Sequence, residues 1–585
     1  MSTLTVPEIA RFDRRFFDGR ERFTRIGRGA VGGKGTGLLR IHDLLLARLE
    51  PDAFPGCVIE IPTLTVVATD MFDAFMERNR LHAVVADEMP DDRLAVAFQH
   101  AELPAELLGD LRALVEQVHQ PLAVRSSSLL EDAVYRPFAG VYATKMIPNN
   151  QLDANTRFRR LVEAVKFVYA STFFASARRY VRMTNHRIED EKMAVLIQEV
   201  VGRRHGERFY PDVSGVARSY NFYCFGHARP EDGVVSLALG LGKTIVDGGL
   251  AWHYSPAWPR AAPPSASARD MVQQTQREFW AVNMGKPPAY DPIRETEYLV
   301  QPGLADAERD GVLQRLASTY DPDSDRLRPG LGLPGPRALT FAPLLVHEAA
   351  PLNAVVRRLL ADSEQALGDK VEIEFALTFG DDGPPATRFG FLQVRPLVVS
   401  HAMVAVEPAD LQAEGLVLAS RSVMGNGVVE GIRDIVYARP EIFEPRFSRL
   451  VGEEVGARND VLLDEGRPYL LIGFGRWGSS DPSLGIPVAW GQICGAKAIV
   501  EATLPTMNVD LSQGSHFFHN ISSFEVSYFC VRHDGHDRLD WDWLARQRAV
   551  AETDLVRHVR LEQPLVVKVD GRTGQGVVRT GAGPT

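Results

Sequence analysis

The stretch PLAVRSSSLLED (121–132) joins a short apolar run to one arginine, three serines and a pair of carboxylates. A strand with this ending offers a cation and a row of hydroxyls at one point of the chain. Arg125 carries a rigid fork of donors that suits phosphate, and Ser126 begins the row of hydroxyls. The alternative is an ordinary helix N-terminus, with a serine cap and acidic residues in the first turn. This stretch alone leaves both interpretations open.

Length and composition limit the class of protein. The 585 residues exceed what one core organises and predict three or four domains. The net charge of −10 excludes a global basic field for nucleic acid or an anionic membrane. Four widely spaced cysteines fit a reducing compartment, and the sequence has neither a signal-peptide core nor a long apolar run. We therefore predict a cytoplasmic protein that binds neither nucleic acid nor membrane.

A glycine-rich stretch, IGRGAVGGKGTGLLRIHDLLL (26–46), precedes an amphipathic helix and contains one lysine. Glycines let backbone N–H groups approach an anion, and a helix N-terminus adds a favourable dipole. The Walker A pattern fails, because Gly35 follows Lys34 where serine or threonine is required. Residues 27–32 satisfy the dinucleotide pattern G-x-G-x-x-G, but residues 21–25 are too polar to predict the buried strand that it needs. Lys34 is the candidate phosphate ligand, and the alternative is a flexible glycine turn.

Two strand-like stretches, VEIEFALTF (371–379) and FGFLQVRPL (389–397), follow each other closely and predict a hairpin. A period of two places both glutamates of the first strand on one face, and Gln393 and Arg395 on one face of the second. If the strands pair, that face carries carboxylates, including Glu374, an amide and a guanidinium. This set suits Mg²⁺ and a triphosphate. The alternative is a solvent-facing sheet with cross-strand charge pairs.

The remaining patterns give a coarse division of the chain. Residues 160–200 read as helix followed by a strand, and residues 344–366 read as an amphipathic helix. After about residue 400 short β-type runs with many glycines predominate. Near the C-terminus we predict a helix over 540–559 and a strand over 564–569.

Six segments in one order resemble the nucleotide-binding half of the phosphoenolpyruvate synthase and pyruvate phosphate dikinase family, which is an ATP-grasp-type module. The segments are VGGKGTGLLRI (31–41), AVRSSSLLEDAVYRPFAGVYAT (123–144), FVYASTFFASARRY (167–180) with MAVLIQEVV (193–201), SGVARSYN (214–221), LALGLGKTIVDGG (237–249) and EIEFAL…FLQVRPL (372–397). Such an ordered set is far more specific than any single motif.

The resemblance implies an α/β (α+β) fold. An ATP-grasp-like nucleotide-binding module of two or three subdomains would be followed by a smaller, β-rich α/β domain at the C-terminus. We expect the first part of the module to span residues 1–215 and the second to span 216–400. The C-terminal domain would span 410–585, and its start resembles the swivelling phosphohistidine domain of the family.

The resemblance also implies roles for individual residues, with ATP and Mg²⁺ as cofactors. The residues expected to bind ATP or its metal are Lys34, Arg125, Ser126, Gln198, Glu374 and Gln393. Glu374 and Gln393 are the metal ligands of this set, and Gln198 lies in the strand that presents backbone to adenine. Arg395, with Arg125, would act on the transferring phosphoryl group. Lys243 departs from the family, because an acidic residue is frequent at its position.

The C-terminal part lacks room for the rest of the family's machinery. Relatives continue with a swivelling domain and a β/α barrel that binds pyruvate or phosphoenolpyruvate. Only about 185 residues follow residue 400, whereas the barrel alone takes about 250. We therefore do not expect this chain to make phosphoenolpyruvate.

His516, within DLSQGSHFFHNISSF (510–524), follows Gly-Ser as the carrier histidine of the family does. A carrier needs an exposed neutral imidazole that can be phosphorylated. Bulky residues follow His516 where the family has small ones, so the alternative is a structural histidine between strands. The glycine- and tryptophan-rich segment 470–490, which contains Arg476, either lines an acceptor pocket or forms a set of tight turns.

These patterns predict an ATP- and Mg²⁺-dependent, dikinase-like phosphotransferase. Its acceptor would be a histidine, a small molecule or a separate partner chain, and the sequence leaves the oligomeric state open. One alternative is a regulatory protein that binds the nucleotide without turnover. Another is an ATP-grasp ligase that works through an acyl phosphate.

Overall fold

Helices and strands are both distributed along the whole described chain. The computed structural model describes residues 9–19, 21–50, 53–86, 89–128, 142–182, 188, 191–221, 227–247, 249–262, 268–273, 275–380, 387–397, 404–407, 409–413, 415–479, 481–512, 517, 521, 524 and 526–581. The α-helices are α1 (Gly32–Arg48), α2 (Thr69–Arg78), α3 (Leu81–Ala86), α4 (Asp91–His100), α5 (Ala105–Gln117), α6 (Ala154–Ser171), α7 (Ala175–Arg182), α8 (Lys243–Val246), α9 (Ala268–Gln273), α10 (Leu304–Arg309), α11 (Ala342–Leu345), α12 (Leu352–Leu367), α13 (Ser448–Asp464) and α14 (Trp541–Arg546).

The strands form several mixed sheets. They are β1 (Ala10–Arg11), β2 (Phe23–Ile26), β3 (Cys57–Glu60), β4 (Leu64–Val67), β5 (Leu122–Ser128), β6 (Thr144–Ile147), β7 (Met193–Glu199), β8 (Arg203–His205), β9 (Arg208–Tyr210), β10 (Val213–Arg218), β11 (Val234–Ala238), β12 (Trp252–Tyr254), β13 (Ala281–Asn283), β14 (Leu299–Val300), β15 (Ala317–Asp321), β16 (Arg326–Pro329), β17 (Arg337–Leu339), β18 (Val371–Phe379), β19 (Thr387–Pro396), β20 (Leu416–Ser420), β21 (Val423–Met424), β22 (Asn426–Ala438), β23 (Tyr469–Phe474), β24 (Arg476–Trp477), β25 (Gly485–Ile486), β26 (Ala496–Ala502), β27 (Ser527–Val531), β28 (Arg538–Leu539), β29 (Ala549–Glu552), β30 (Val556–Asp570) and β31 (Gln575–Thr580).

Two six-stranded sheets organise the first two thirds of the chain. The first has the order β1-β2-β4-β7-β5-β6, and the second has the order β12-β11-β10-β18-β19-β3. Helix α1 packs against β5 of the first sheet and β19 of the second. The mixed α/β fold expected from the resemblance is confirmed. Strand β10 crosses the expected limit between residues 215 and 216, and β3 joins the second sheet, so the two expected parts share that sheet.

The predicted hairpin of β18 and β19 is confirmed. Glu372 lies opposite Arg395, and Glu374 lies opposite Gln393. The register then shifts between Glu374 and Phe375, which leaves Leu392 without an opposite residue. Glu372 and Gln393 are each only 1% exposed. The alternative of a solvent-facing sheet is therefore wrong.

A ten-stranded sheet, with nine strands in the order β21-β27-β26-β23-β22-β30-β31-β20-β28 and β29 paired to β30, organises residues 416–580. Its neighbouring strands β22, β23, β26 and β27 are parallel, so their carboxyl ends meet at one edge. Helix α13 connects the first two of these strands. In open α/β sheets ligands bind in the crevice outside such an edge.

Two predictions of secondary structure are wrong. Residues 23–26 do form a strand, because buried Thr24 places its hydroxyl 2.8 Å from that of Thr65 on β4 and thereby satisfies its polar group. The helix expected over 540–559 ends at Arg546. The residues beyond it form β29 and the start of β30, which pairs with β22 at both of its ends and with β31 at its C-terminal end. Tertiary pairing there overrides the helical propensity of alanine and glutamate.

Among the described helices, none combines the length and the apolar composition needed to cross a bilayer.

Asp434 on β22 is the centre of a buried ionic cluster and gives a prediction about acid stability. Its carboxylate, only 1% exposed, lies within 2.8 Å of donors on His558, Arg467 and Arg560. Burial alone would raise the pKa of Asp434, but the hydrogen bonds from these donors outweigh burial and lower the pKa to about 2. A lowered pKa in the folded protein stabilises it above pH 4, and this stabilisation is lost as the pH falls towards 2.

The expected contribution is about 2 kcal/mol of unfolding free energy. Urea unfolding should show this difference between wild type and Asp434→Asn from pH 7 to pH 4, and the difference should close towards pH 2. Glu465→Gln, a change at an exposed partner of the same arginines, should alter stability by less than about 1 kcal/mol. Equal effects of both substitutions would contradict the central role of Asp434.

Candidate nucleotide site

A cavity of about 380 Å³ is lined by strands of both six-stranded sheets. The first sheet contributes β5, β6 and β7, and the second contributes β10, β18 and β19. All the cofactor-binding residues predicted from the sequence, except Ser126, line this cavity, as does Arg395: Lys34, Arg125, Gln198, Glu374, Gln393 and Arg395. The roles of these residues stay predictions, but the fold brings them to one place.

Arg125 on β5 connects the two sheets. One terminal nitrogen donates to Gln198 Oε1 at 3.3 Å and to the Leu392 carbonyl at 3.2 Å. The other donates to Glu374 Oε2 at 3.0 Å and to Gln393 Oε1 at 2.6 Å. The register shift in β19 explains the carbonyl contact, because the residue left over at a bulge keeps its backbone groups outside the ladder. Arg125 therefore holds the metal-ligand candidates and the adenine-strand candidate in one network.

Lys34 lies at the start of α1 and is 9% exposed. Its Nζ donates to Ser126 Oγ at 3.2 Å, which brings together two of the predicted phosphate ligands. The next residue, Gly35, donates its backbone N–H to Ser127 Oγ at 3.1 Å. Gly32 has φ +74°, and a Cβ there would lie 1.8 Å from the Ser127 carbonyl oxygen. Only glycine allows α1 to start this close to β5.

The backbone of the preceding loop is already hydrogen-bonded. The N–H groups of Arg28 and Gly29 donate to the carboxylate of Asp70 at 2.8 and 2.9 Å, and that of Ala30 donates to Thr69 Oγ1. These three donors are thus held by side chains at the start of α2. The loop positions Lys34, and residues 28–30 are not the anion cradle that a glycine-rich loop suggests.

Arg395 shares a buried carboxylate with a second arginine. Glu372 accepts from Arg395 Nε at 3.0 Å and from Arg218 Nε at 2.6 Å. One carboxylate thus holds two guanidiniums at the cavity wall, so the pair retains net positive charge. Arg218 was not identified from the sequence. The sequence feature that could have identified it is its place in SGVARSYN (214–221), on the strand that pairs directly with β18.

Two amides at the cavity carry unused donors. The Nε2 atoms of Gln198 and Gln393 are buried and have no hydrogen-bond partner among the described residues. A buried donor without a partner costs free energy unless a ligand or water satisfies it. Beside Gln198, burial raises the pKa of Glu199, which also lines the cavity. The two amide Nε2 atoms are therefore donors that a ligand in the cavity can satisfy.

Lys243, at a position where the resemblance leads one to expect an acid, lies on the cavity wall at the start of α8. Its Nζ is 3.2 Å from Asp247 and 4.0 Å from Glu295. Burial raises the pKa of Glu295, and the charge of Lys243 opposes that rise. Glu295 was not predicted, because nothing in its sequence context marks it. Lys243 therefore lies close to two carboxylates, those of Asp247 and Glu295.

The donor set fits a magnesium ion that is shared with phosphate. Glu374 and Gln393 lie directly opposite each other and present hard oxygen donors. Within the described residues, no three His, Cys, Asp or Glu side chains form a cluster that could hold a metal alone. Mg²⁺ characteristically takes one or two protein oxygens and completes its shell with water and substrate phosphates. These two residues would hold the ion, which would supply positive charge to neutralise phosphate when bound.

The predicted carrier His516 lies outside the described residues, as does His519. Its neighbour Phe517 is described, lines the nucleotide cavity and lies 5.5 Å from the ring of Trp490. The segment 470–490 does form tight turns, with β24 parallel to β25. A Cβ at Gly485 would lie 2.0 Å from the Arg476 carbonyl oxygen, so glycine is required there.

Comparison with known proteins identifies the family. The chain matches the model of the pyruvate phosphate dikinase AMP/ATP-binding domain over residues 28–415. This match covers more than half of the chain, which therefore belongs to that family. Among curated proteins, it is similar to an uncharacterized phosphotransferase of Bacillus subtilis (strain 168), YvkC, with 27% identity over 222 residues. The aligned part is 38% of this chain and 22% of the relative, so the chain matches well under two thirds of that protein.

Proposed function

We propose that the protein is an ATP- and Mg²⁺-dependent phosphotransferase of the dikinase type, with its nucleotide in the cavity between the two sheets. The observation that carries the proposal is the Arg125 network, which joins a carboxylate, two amides and a carbonyl from three strands at one guanidinium. Such an arrangement fixes cationic and metal-binding groups before the substrate arrives. Phosphoryl transfer needs mainly this kind of positioning and charge stabilisation.

The charges along the cavity support an orientation for ATP. The uncharged donors near Gln198 would receive the adenine. Lys34, Arg125 and Lys243 would contact phosphates, and Arg395 would contact the phosphoryl group in transfer. The bond from phosphorus to the leaving nucleotide oxygen would break, and a bond to the acceptor nucleophile would form as its proton is released. Glu374 and Gln393 would hold Mg²⁺.

We propose that a histidine of the C-terminal domain accepts the phosphoryl group first. Phe517 contributes to the cavity wall, which supports His516 as a phosphoryl carrier, with His519 as the fallback. The final acceptor would be a small molecule or a separate partner chain in the cytoplasm. A regulatory protein that binds ATP without turnover is the alternative, and a ligase would release ADP only with a carboxylate and an amine present.

Product analysis tests this proposal. The full-length protein is incubated with Mg²⁺ and with ATP labelled at the β or the γ phosphate. We expect nucleotide cleavage and an acid-labile, base-stable label on the chain, with loss of that label in the His516→Ala, His519→Ala double variant. ATP recovered unchanged would contradict the enzyme and favour the regulatory alternative. Cleavage with a label that persists in the double variant would refute the carrier role alone.

A further inference from the structure

Arg218 is the last residue of β10 and lines the nucleotide cavity. Alternate residues of a strand share a face, and Ser214 and Val216 of the same strand line the cavity as well. Of these three side chains, only that of Arg218 carries a charge. It is 12% exposed, so most of it is buried at the cavity wall. Strand β10 therefore contributes one cation to the wall of the cavity.

The sheet register places Arg218 in a row with Arg395. Arg218 lies opposite Glu372 on β18, and Glu372 lies opposite Arg395 on β19. The next row on the same face contains Glu374 and Gln393, the pair that would hold Mg²⁺. A strand rises about 3.4 Å per residue, so the two rows are separated by about 7 Å. A phosphate chain that binds the metal is therefore within reach of both arginine side chains.

Glu372 holds the two arginines with separate oxygen atoms. Its Oε2 accepts from Arg218 Nε at 2.6 Å. Its Oε1 accepts from Arg395 Nε at 3.0 Å and from a terminal nitrogen of the same guanidinium at 2.5 Å. Because each guanidinium has its own oxygen, both are oriented at the same time. Glu372 is 1% exposed, so the carboxylate that orients them is itself held inside the sheet.

The charges of this row are unequal. One carboxylate is shared by two guanidiniums, those of Arg218 and Arg395, whose side chains are only 12% and 13% exposed. Like charges that are held close together in a partly buried site repel each other, and burial weakens their solvation by water. An anion that contacts both guanidiniums offsets these costs. The terminal phosphate of a nucleoside triphosphate has several acceptor oxygens and suits two planar forks of donors.

We infer that Arg218 contacts the terminal phosphate of ATP beside Arg395 and thereby selects a nucleoside triphosphate over a monophosphate. The inference rests on the proposed function, because it places the nucleotide in the cavity between the two sheets. Arg218 would bind the terminal phosphate in the resting complex and so contribute to affinity. Arg395 would act mainly on the charge that develops as the phosphoryl group is transferred.

Calorimetric titration of the full-length protein with ATP and with AMP, each with Mg²⁺, tests the inference. Arg218→Met should weaken ATP binding by about 10- to 100-fold, whereas AMP affinity should change by less than about 2-fold, because AMP lacks the terminal phosphate. Arg218→Lys should restore part of the ATP affinity, since lysine keeps the charge but not the planar fork. Unchanged AMP binding also shows that the cavity of the variant is intact.

The Arg218→Met protein should fold, because Glu372 keeps its hydrogen bonds from Arg395. The matched control is Arg203→Met, which also removes an arginine from a buried carboxylate. Arg203 pairs at 3.3 Å with Asp212, whose side chain is 0% exposed, and it does not line the nucleotide cavity. The ratio of ATP affinity to AMP affinity should equal that of the wild type in this control.

Two results would overturn the inference. One is a ratio of ATP affinity to AMP affinity in Arg218→Met that equals the wild-type ratio. The other is a loss of ATP affinity no larger than that in Arg395→Ala, because Arg218 would then act only by positioning Arg395. If the wild-type protein binds neither nucleotide, the proposed function itself fails, and this inference fails with it.

Discussion

Replacement of Arg395 by alanine should lower the rate of ATP cleavage by about 10²–10³-fold, with a smaller effect on nucleotide affinity. Arg395 stands at the cavity wall with a guanidinium that Glu372 orients at 3.0 Å. A cation directed at developing phosphoryl charge acts mainly in the transition state. The loss should therefore appear in kcat more than in KM, measured by steady-state release of AMP or ADP.

The fold should survive this substitution. Glu372 keeps its hydrogen bond from Arg218 at 2.6 Å, so no buried carboxylate is left without a cation. Arg388→Ala is the matched control, because Arg388 lies on the same strand but is 61% exposed and 3.6 Å from Glu60. Turnover should be unchanged in that variant. An Arg395→Ala protein with wild-type kcat would exclude Arg395 from the reaction.

Replacement of Arg125 by alanine should weaken ATP binding by about 10- to 100-fold. The change removes the donor that holds Glu374 and Gln393 beside each other and removes a cation expected to contact phosphate. Arg125→Lys should recover only part of the affinity, because an ammonium cannot reproduce the planar fork with its several fixed donors. Equilibrium dialysis with labelled ATP measures both variants.

A structural loss must be separated from a loss of binding in this case. Arg125 crosses between the two sheets, so the variant should also unfold at a lower urea concentration. Lys145→Met provides the comparison. Lys145 lies on β6, the strand next to β5, and forms a buried ion pair with Glu297 at 2.8 Å. It is not among the residues that line the cavity. A similar fall in stability with unchanged ATP affinity is expected there. Equal loss of affinity in both variants would assign the Arg125 effect to destabilisation.

The hairpin of β18 and β19 shows how much of the structure the local sequence pattern predicts. Alternation predicted which side chains of each strand share a face, and the observed register places Glu374 opposite Gln393. The bulge at Leu392 was not predicted, because nothing in the alternation of the two strands marks where the register shifts; the Leu392 carbonyl accepts from Arg125, 267 positions away in the chain. Similarly, β2 was missed because Thr24 is compensated only by Thr65 on another strand.

The residues of the candidate site were also predictable only where a local sequence pattern marks them. Lys34, Arg125 and Arg395 were identified from motifs that carry an unusual polar residue beside a strand or helix terminus. Arg218 and Glu295 were not, because an ordinary arginine and an ordinary glutamate acquire meaning only from the partners that tertiary structure gives them. The sequence also suggested that the loop before Lys34 could bind an anion through its backbone. The backbone N–H groups of residues 28–30 instead donate to side chains at the start of α2, a contact that only tertiary structure creates.

The central claim is that the cavity between the two sheets binds ATP with Mg²⁺. Calorimetric titration of the full-length protein with ATP, with and without Mg²⁺, tests it most directly. The account predicts one saturable site per chain, tighter with Mg²⁺ present, and this gain from the metal should be absent in Glu374→Gln. No saturable binding by the wild-type protein, or a metal effect that is identical in Glu374→Gln, would contradict it.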